Sequence, residues 1–344
     1  MRNLGGIFLA FFSALELKHC HMSLYAKPAS SLPALYAKIT SRGLSVENPD
    51  ELKAALENLG YYRIGGYAYP FLTPPDRKLF KPGTTWNQIA RIYEFDRELR
   101  LLVSDAIERI EVALRARLVS ATTMEALPSS ATASPGASPS TWGPHWYLDA
   151  SRFHPKFDHV KFIANVEKEV GVKYDPTTRL RILPANHAEK FIEHYYAKYG
   201  DPCLPPFWMV AEVLTLGSLS LLYNGLGDPS LKARIALPFG LTAKVMANWL
   251  HCLSHLRNIC AHHGRLWNRT FSISPKVPPH LAATIRAPNR FEGHARLLME
   301  MLRVTAPTDN WKTKFRALLA RFPEIDPSAM GFDSSWAATP KSTA

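Results

Sequence analysis

Residues Lys244–Arg269 read KVMANWLHCLSHLRNICAHHGRLWNR, and their spacing predicts a helix whose two faces differ in kind. Thr242 is placed to cap its N-terminus and Gly264 to end it at C′. At about 100° per residue, Val245, Trp249, Leu253, Leu256 and Cys260 share one face. Lys244, Asn248, His251, His255, Asn258 and His262 share the opposite face as a polar seam. Polar helix faces are ordinarily just solvated. Three histidines in one stripe add a second reading, because imidazole is the side chain best suited to move protons near neutral pH. His262 falls in the last turn, where free carbonyls and the helix dipole favour the protonated ring. Arg257 stands about 140° round an ideal helix from His262, at the edge of the apolar face. It is either a structural ion-pair partner or a cation that works with His262. The second role requires the helix to loosen near Gly264, or a second chain to help.

A metal reading would rest on Cys252, His255, Cys260, His262 and His263. Structural zinc needs four converging ligands. Cys260 points to the apolar face and no second Cys-x-x-Cys or Cys-x-x-His pair joins it, so no metal and no cofactor is assigned.

Outward from this stretch, the chain has 344 residues, 47% hydrophobic and 20% charged, enough for a large core in one or two domains. Its 41 basic against 29 acidic residues favour a polyanionic partner, nucleic acid before membrane. Four scattered cysteines make no disulfide framework, and a reducing cytoplasm is the simpler expectation. The apolar run at residues 5–15 is too short to span a bilayer as a helix, and no small-x-small cleavage site follows it before Lys18. Residues 1–21 are therefore expected to derive from a start codon upstream of Met22, with a targeting segment as the alternative.

Helix signals fill most of the remainder. Ser31–Arg42 is closed by Gly43, and Asn48-Pro-Asp-Glu51 opens a helix running to Leu59. The stretch Tyr61–Leu72 reads as a packed turn or a small hairpin. Thr85 with Gln88 forms a capping box before a long 3.6-period run from Ile89 to Leu118, one helix or two. Its polar side, Asp96 and Arg100 included, reads as a solvated face with i, i+4 pairs. Pro128–Thr141 has no charge and no bulky apolar residue, and is expected to be a flexible insertion. Beyond it, helices are expected near 155–170, from Asn186 to Gly200, from Leu204 through Ser220 to Tyr223, from Asp228, and near 292–304 and 310–322. There is no internal repeat, no phosphate-binding loop, no Gly-x-Gly-x-x-Gly and no Gly-x-Ser-x-Gly.

Arg257-Asn258, three residues, then His262 resembles the RNA-cleaving motif of HEPN domains. The longer string Arg257-Asn-Ile-Cys-Ala-His-His-Gly-Arg-Leu-Trp-Asn268 is similar to the signature of the Abi-like abortive-infection proteins of bacteria, the AbiD and AbiF group. Phe95–Arg100, Ile107–Glu111, His194-Tyr195, Pro205-Pro206, Trp208, Glu212, Gly217 and Met330-Gly-Phe332 with Trp336 extend the likeness, which covers about Tyr25 to Trp336.

The resulting expectation is an all-α protein, a HEPN-like helical bundle with N- and C-terminal helical extensions. Residues 1–21 form the extension, 22–125 an N-terminal helical part, 126–141 the insertion, 142–336 the helical part carrying the motif, and 337–344 a tail. The resemblance implies a metal-independent endoribonuclease of anti-phage defence. RNA carries its own nucleophile, the 2′-hydroxyl. His262 is the acid/base candidate and Arg257 the phosphate ligand; Asn258 orients the histidine, and His263 substitutes if the register differs. Lys244, His255, Arg265 and Arg269 are candidates for holding the RNA, and Glu111 and Arg115 for supporting the site from behind. The expected partners are RNA, as substrate or as a regulatory noncoding RNA, and a second copy of the chain, with no stable membrane association. The alternative is a non-catalytic RNA-binding scaffold of toxin–antitoxin or defence type.

Overall fold

The computed structural model describes residues 28–123, 143–174, 181–182 and 191–336. The insertion, the tail, residues 1–21 and Asn186 lie outside the described residues. The chain divides into two compact units, residues 1–86 and 87–344, so the break falls inside the expected 22–125 part. Among the described residues there are twelve α-helices, and the only ladder pairs Lys173–Tyr174 (β1) with Arg181–Ile182 (β2). The protein is all-α.

In the first unit, α1 (Leu32–Thr40) is capped by Ser31 and α2 (Pro49–Asn58) by Asn48, whose side chain accepts from Asp50 N–H. α2 follows the expected cap and proline chemistry. The expected turn or hairpin over Tyr61–Leu72 is instead α3 (Tyr61–Ala68) followed by a 3₁₀ turn at Tyr69–Phe71. Gly65 and Gly66 weaken a helix by about 1 kcal/mol each relative to alanine. Ile64, Tyr67 and Ala68 are buried at helical spacing, and that burial offsets the glycines.

The second unit is built along α4 (Trp86–Thr123), a single helix of 38 residues rather than two. Ile89, Ile92, Phe95, Leu99, Val103, Ala106, Ile107, Ile110, Leu114 and Leu118 form its buried stripe. α5 (His159–Val170) starts at an Asp158 cap and ends at Gly171 in the left-handed region, φ 76°. Short helices follow: α6 (Phe191–Lys198), α7 (Phe207–Val213), α8 (Leu216–Gly225) and α9 (Pro229–Ala236). The sequence predicts one helix across Leu204–Tyr223, but the chain breaks at Leu214-Thr215. Thr215 caps α8 by accepting from Ser218 N–H, and Glu169 of α5 accepts from Thr215 N–H at 2.7 Å and from the Ser218 hydroxyl at 2.5 Å. On the other side of the break, Arg115 donates to the carbonyls of Ala211 and Leu214, both at 2.9 Å. Together these side chains satisfy groups that an uninterrupted helix would have paired internally.

α10 (Ala243–Ala261) packs against α8, α9 and α11 (Phe291–Thr305). The α8–α10 approach is close: a Cβ on Gly217 would lie 3.3 Å from Ser254 Oγ. α12 (Trp311–Arg321) docks on α4, with Trp311 Nε1 donating to Leu102 O at 2.9 Å. The closing segment adds Phe332 and Trp336 to the buried rings of Phe291 and Phe315.

Candidate functional site

α10 begins as expected, with Thr242 Oγ1 accepting from Val245 N–H. Its apolar face is buried through Met246, Trp249, Leu250, Leu253, Leu256 and Ile259. Its end differs from expectation in one residue. His263, not Gly264, takes the left-handed conformation, at φ 56°. His263 N–H donates to Cys260 O at 3.0 Å and Gly264 N–H to Ile259 O at 2.7 Å, the double bond of a Schellman end. Gly264 is required by space rather than by φ, since a Cβ there would sit 3.0 Å from Ile259 Cγ2. The helix stays regular to Ala261, with His262 as its C-cap. It does not loosen to bring Arg257 and His262 together.

The loop after this end is held from α4. Asp96, fully buried, accepts from Leu266 N–H at 3.0 Å and Trp267 N–H at 2.6 Å, and pairs with Arg100 of its own helix at 2.5 Å. The expectation of a solvated face is corrected here for Asp96 and Arg100. Asp96 lies three or four residues from Ile92 and Leu99, in the middle of the apolar stripe. That position is the sequence signal for an inward-facing carboxylate. Beyond the loop, Asn268 accepts from Arg290 at 2.8 Å.

Arg257, Asn258, His262 and His263 are all exposed. The Arg257 guanidinium reaches Asn258 Oδ1 at 3.5 Å and has no ion pair among the described residues, so the structural ion-pair reading finds no partner. His255 is half-buried beside Arg269, with its Nε2 enclosed and unbonded. Burial, then the charges of Arg269 and His251, holds it below the ordinary histidine range. Arg269 donates to Arg265 O at 3.3 Å and lies over the Phe271 ring; both arginines are half-buried. Behind them His294 of α11 is fully buried, its ring tilted against Phe271 with centroids 4.1 Å apart, and burial depresses it to about 4.

The polar seam is thus not one surface. Asn248 clamps the following loop, donating to Ser274 O at 3.2 Å and accepting from Lys276 N–H at 2.6 Å. Lys244, Asn248 and His251 line a pocket of about 590 Å³ together with Lys232, Lys276 and His154, three residues that no sequence signal singles out. Glu111 and Arg115 pair at 2.5 Å and serve the α7 carbonyls; none of their observed hydrogen bonds goes to the α10 motif. Cys252 and Cys260 are buried, and burial pushes both thiols up to about 12. Among the described residues no three His, Cys, Asp or Glu side chains converge for a metal ion, and no helix is long and apolar enough to cross a membrane.

The arrangement therefore offers a cation, an amide and two imidazoles on an exposed helix end, fixed from behind by a buried carboxylate. The model of the family described as Abi-like protein matches residues 54–268, more than half of the chain, and the chain belongs to that family. The match contains α10 and the loop that Asp96 holds, and it ends at Asn268. No curated protein and no solved structure gives a match.

Proposed function

We propose that this Abi-like protein is a HEPN-type, metal-independent endoribonuclease of abortive-infection defence, working as a homodimer. The observation that carries the reading is the exposure of Arg257, Asn258, His262 and His263 on a rigid helix end. No carboxylate among the described residues pairs with the Arg257 guanidinium, which leaves its charge for a phosphate. In this reading one His262 takes the proton of the RNA 2′-hydroxyl or gives one to the leaving 5′-oxygen. The guanidinium of Arg257 holds the phosphate and offsets the charge that develops on it. The products are a 2′,3′-cyclic phosphate and a 5′-hydroxyl.

Helix geometry supports the dimer. Arg257 and His262 are five residues apart on a regular helix, about 7.5 Å along its axis and about 140° around it. One helix places them poorly for a single phosphate. Two helix ends related by a twofold axis bring the Arg257 of one protomer to the His262 of its partner.

The test is RNA cleavage by full-length chains in EDTA. Arg257→Ala and His262→Ala are each expected to be inactive yet folded, since both side chains are exposed. Mixed and re-equilibrated, the two dead variants are expected to recover about a quarter of wild-type activity, because half the dimers are mixed and each mixed dimer has one intact composite site. Activity in His262→Ala alone, or cleavage of RNA carrying 2′-deoxyribose at the cut, refutes the chemistry. Absence of recovery refutes the composite site. Salt-dependent RNA binding with no cleavage by the wild type favours the non-catalytic scaffold.

A further inference from the structure

The pocket on the N-terminal half of α10 is built from three further segments. His154 is brought in by the chain before α5, which pairs with the end of α8. His154 N–H donates to Gly225 O at 3.0 Å and Gly227 N–H to Arg152 O at 2.8 Å. The corner tolerates no side chain: a Cβ on Gly225 would meet the Phe157 ring at 2.5 Å, and one on Gly227 would meet Arg152 O at 3.0 Å. Lys276 is brought in by the Asn248 clamp and by Trp249 Nε1, which donates to Lys276 O at 2.9 Å. Lys232 rises from α9 and donates to Asn224 O at 2.8 Å and Leu226 O at 3.3 Å. An ammonium has three donors, so at least one remains for a ligand.

Three lysines and two histidines line this space with no carboxylate among the lining residues. None of the five has an ion-pair partner among the described residues. The nearest acid in sequence, Asp228, is spent on the N-terminus of α9, accepting from Ser230 and Leu231 N–H. Burial without a counter-charge holds Lys232 below the ordinary lysine range. No Phe, Tyr, Trp or Arg lines the pocket. It therefore lacks the large aromatic platforms on which bases stack best and a guanidinium fork for reading one, while keeping the point charges that suit phosphate.

We propose that this pocket is a sequence-independent phosphate subsite for the RNA strand. It grips the backbone a few nucleotides from the bond placed at the α10 motif, and the proposal rests on the RNA reading of that motif. Residue 248 and residue 258 are ten apart on one helix, which sets the grip about 15 Å from the motif along its axis.

The experiment titrates a labelled oligouridine against full-length His262→Ala protein, which binds without cutting, over a range of salt. The comparison is the same protein with Lys244→Gln and Lys276→Gln, two exposed side chains whose loss leaves the fold in place. The expected result is a loss of affinity of about tenfold at low salt, and a salt slope shallower by about 1.4, two phosphate contacts at about 0.7 each. His154→Ala, in the segment before α5, is expected to act in the same direction. Unchanged affinity and slope in the lysine variant, while the parent protein binds, overturns the subsite and leaves the RNA reading standing. No binding by the parent protein overturns both. Uridine monophosphate binding as tightly as the oligomer, and lost in the lysine variant, makes this a free-nucleotide pocket and overturns the backbone assignment.

Discussion

Replacing Asp96 tests whether the α10 loop is held from α4. The carboxylate is fully buried, its Arg100 partner is 7% exposed at the side chain, and it accepts two backbone N–H groups. Removing one member of a buried ion pair costs about 3–5 kcal/mol, mostly the burden of the charge left behind. Each buried N–H that loses its acceptor adds about 1–3 kcal/mol. Asp96→Ala loses both kinds of contact, and after overlap the expected loss is about 5 kcal/mol, comparable to the whole stability of a modest domain. Asp96→Asn keeps an oxygen for the loop N–H groups but turns an NH2 toward the Arg100 guanidinium in place of the charged oxygen, for an expected loss of about 3 kcal/mol. Combining Arg100→Met with Asp96→Asn removes the stranded cation. The double variant should therefore be more stable than the sum of the single losses implies, with a coupling of about 2 kcal/mol. The assay is urea unfolding followed by fluorescence of the buried tryptophans Trp249, Trp267 and Trp311. An Asp96→Asn protein within about 1 kcal/mol of wild type, or single losses that simply add, refutes the reasoning.

Two further outcomes are expected. His294 is held at about 4 in the folded chain against 6.5 for the ordinary group, so between those values the unfolded chain binds a proton that the folded one does not. Stability from the neutral ring is complete above about pH 6.5 and is lost as pH falls toward 4. About 2 kcal/mol should disappear between about pH 7 and pH 5. His294→Phe, which keeps a ring against Phe271, should flatten that slope in urea midpoints measured across pH, and an unchanged slope sinks the assignment. At the helix end, His263→Gly should be more stable than His263→Ala by about 1 kcal/mol, because both lose the imidazole and only glycine enters the left-handed region freely. Equal thermal midpoints for the two variants argue against the Schellman end.

What can be read from the sequence is local. Thr242, Asn48 and Ser31 cap their helices as their side chains and spacing dictate, and the α10 apolar face is the buried one. The exposed motif residues are also legible, because they stand at the polar end of one clear helix. What escapes is set by contacts distant in sequence. Asp96 reads as one of many surface charges until its partners at 266 and 267 are known, although its place inside the Ile92–Leu99 stripe is an available signal. Asn248 looks like part of a catalytic seam, yet its amide is used up on residues 274 and 276. The break at Thr215 is decided by Glu169 and Arg115, from two other helices. Lys232, Lys276 and His154 lie on three segments whose convergence no spacing rule predicts.

The Asp96 contact also orders events in time. Its partners lie 170 and 171 residues further along the chain. Loop closure over such a span is slow beside the formation of either helix. During synthesis α4 emerges first, and its Asp96 carboxylate, already beside Arg100, lacks its loop partners until residue 267 has been made. α10 can coil as soon as it is complete, but the N–H groups of Leu266 and Trp267 stay untied until they reach Asp96 on α4. Chains cut short before that point carry the Arg257–His262 letters without the backing that fixes them. A nascent or truncated copy then lacks the anchored helix end, and whatever depends on that end is postponed until residue 267 has been made and has reached α4.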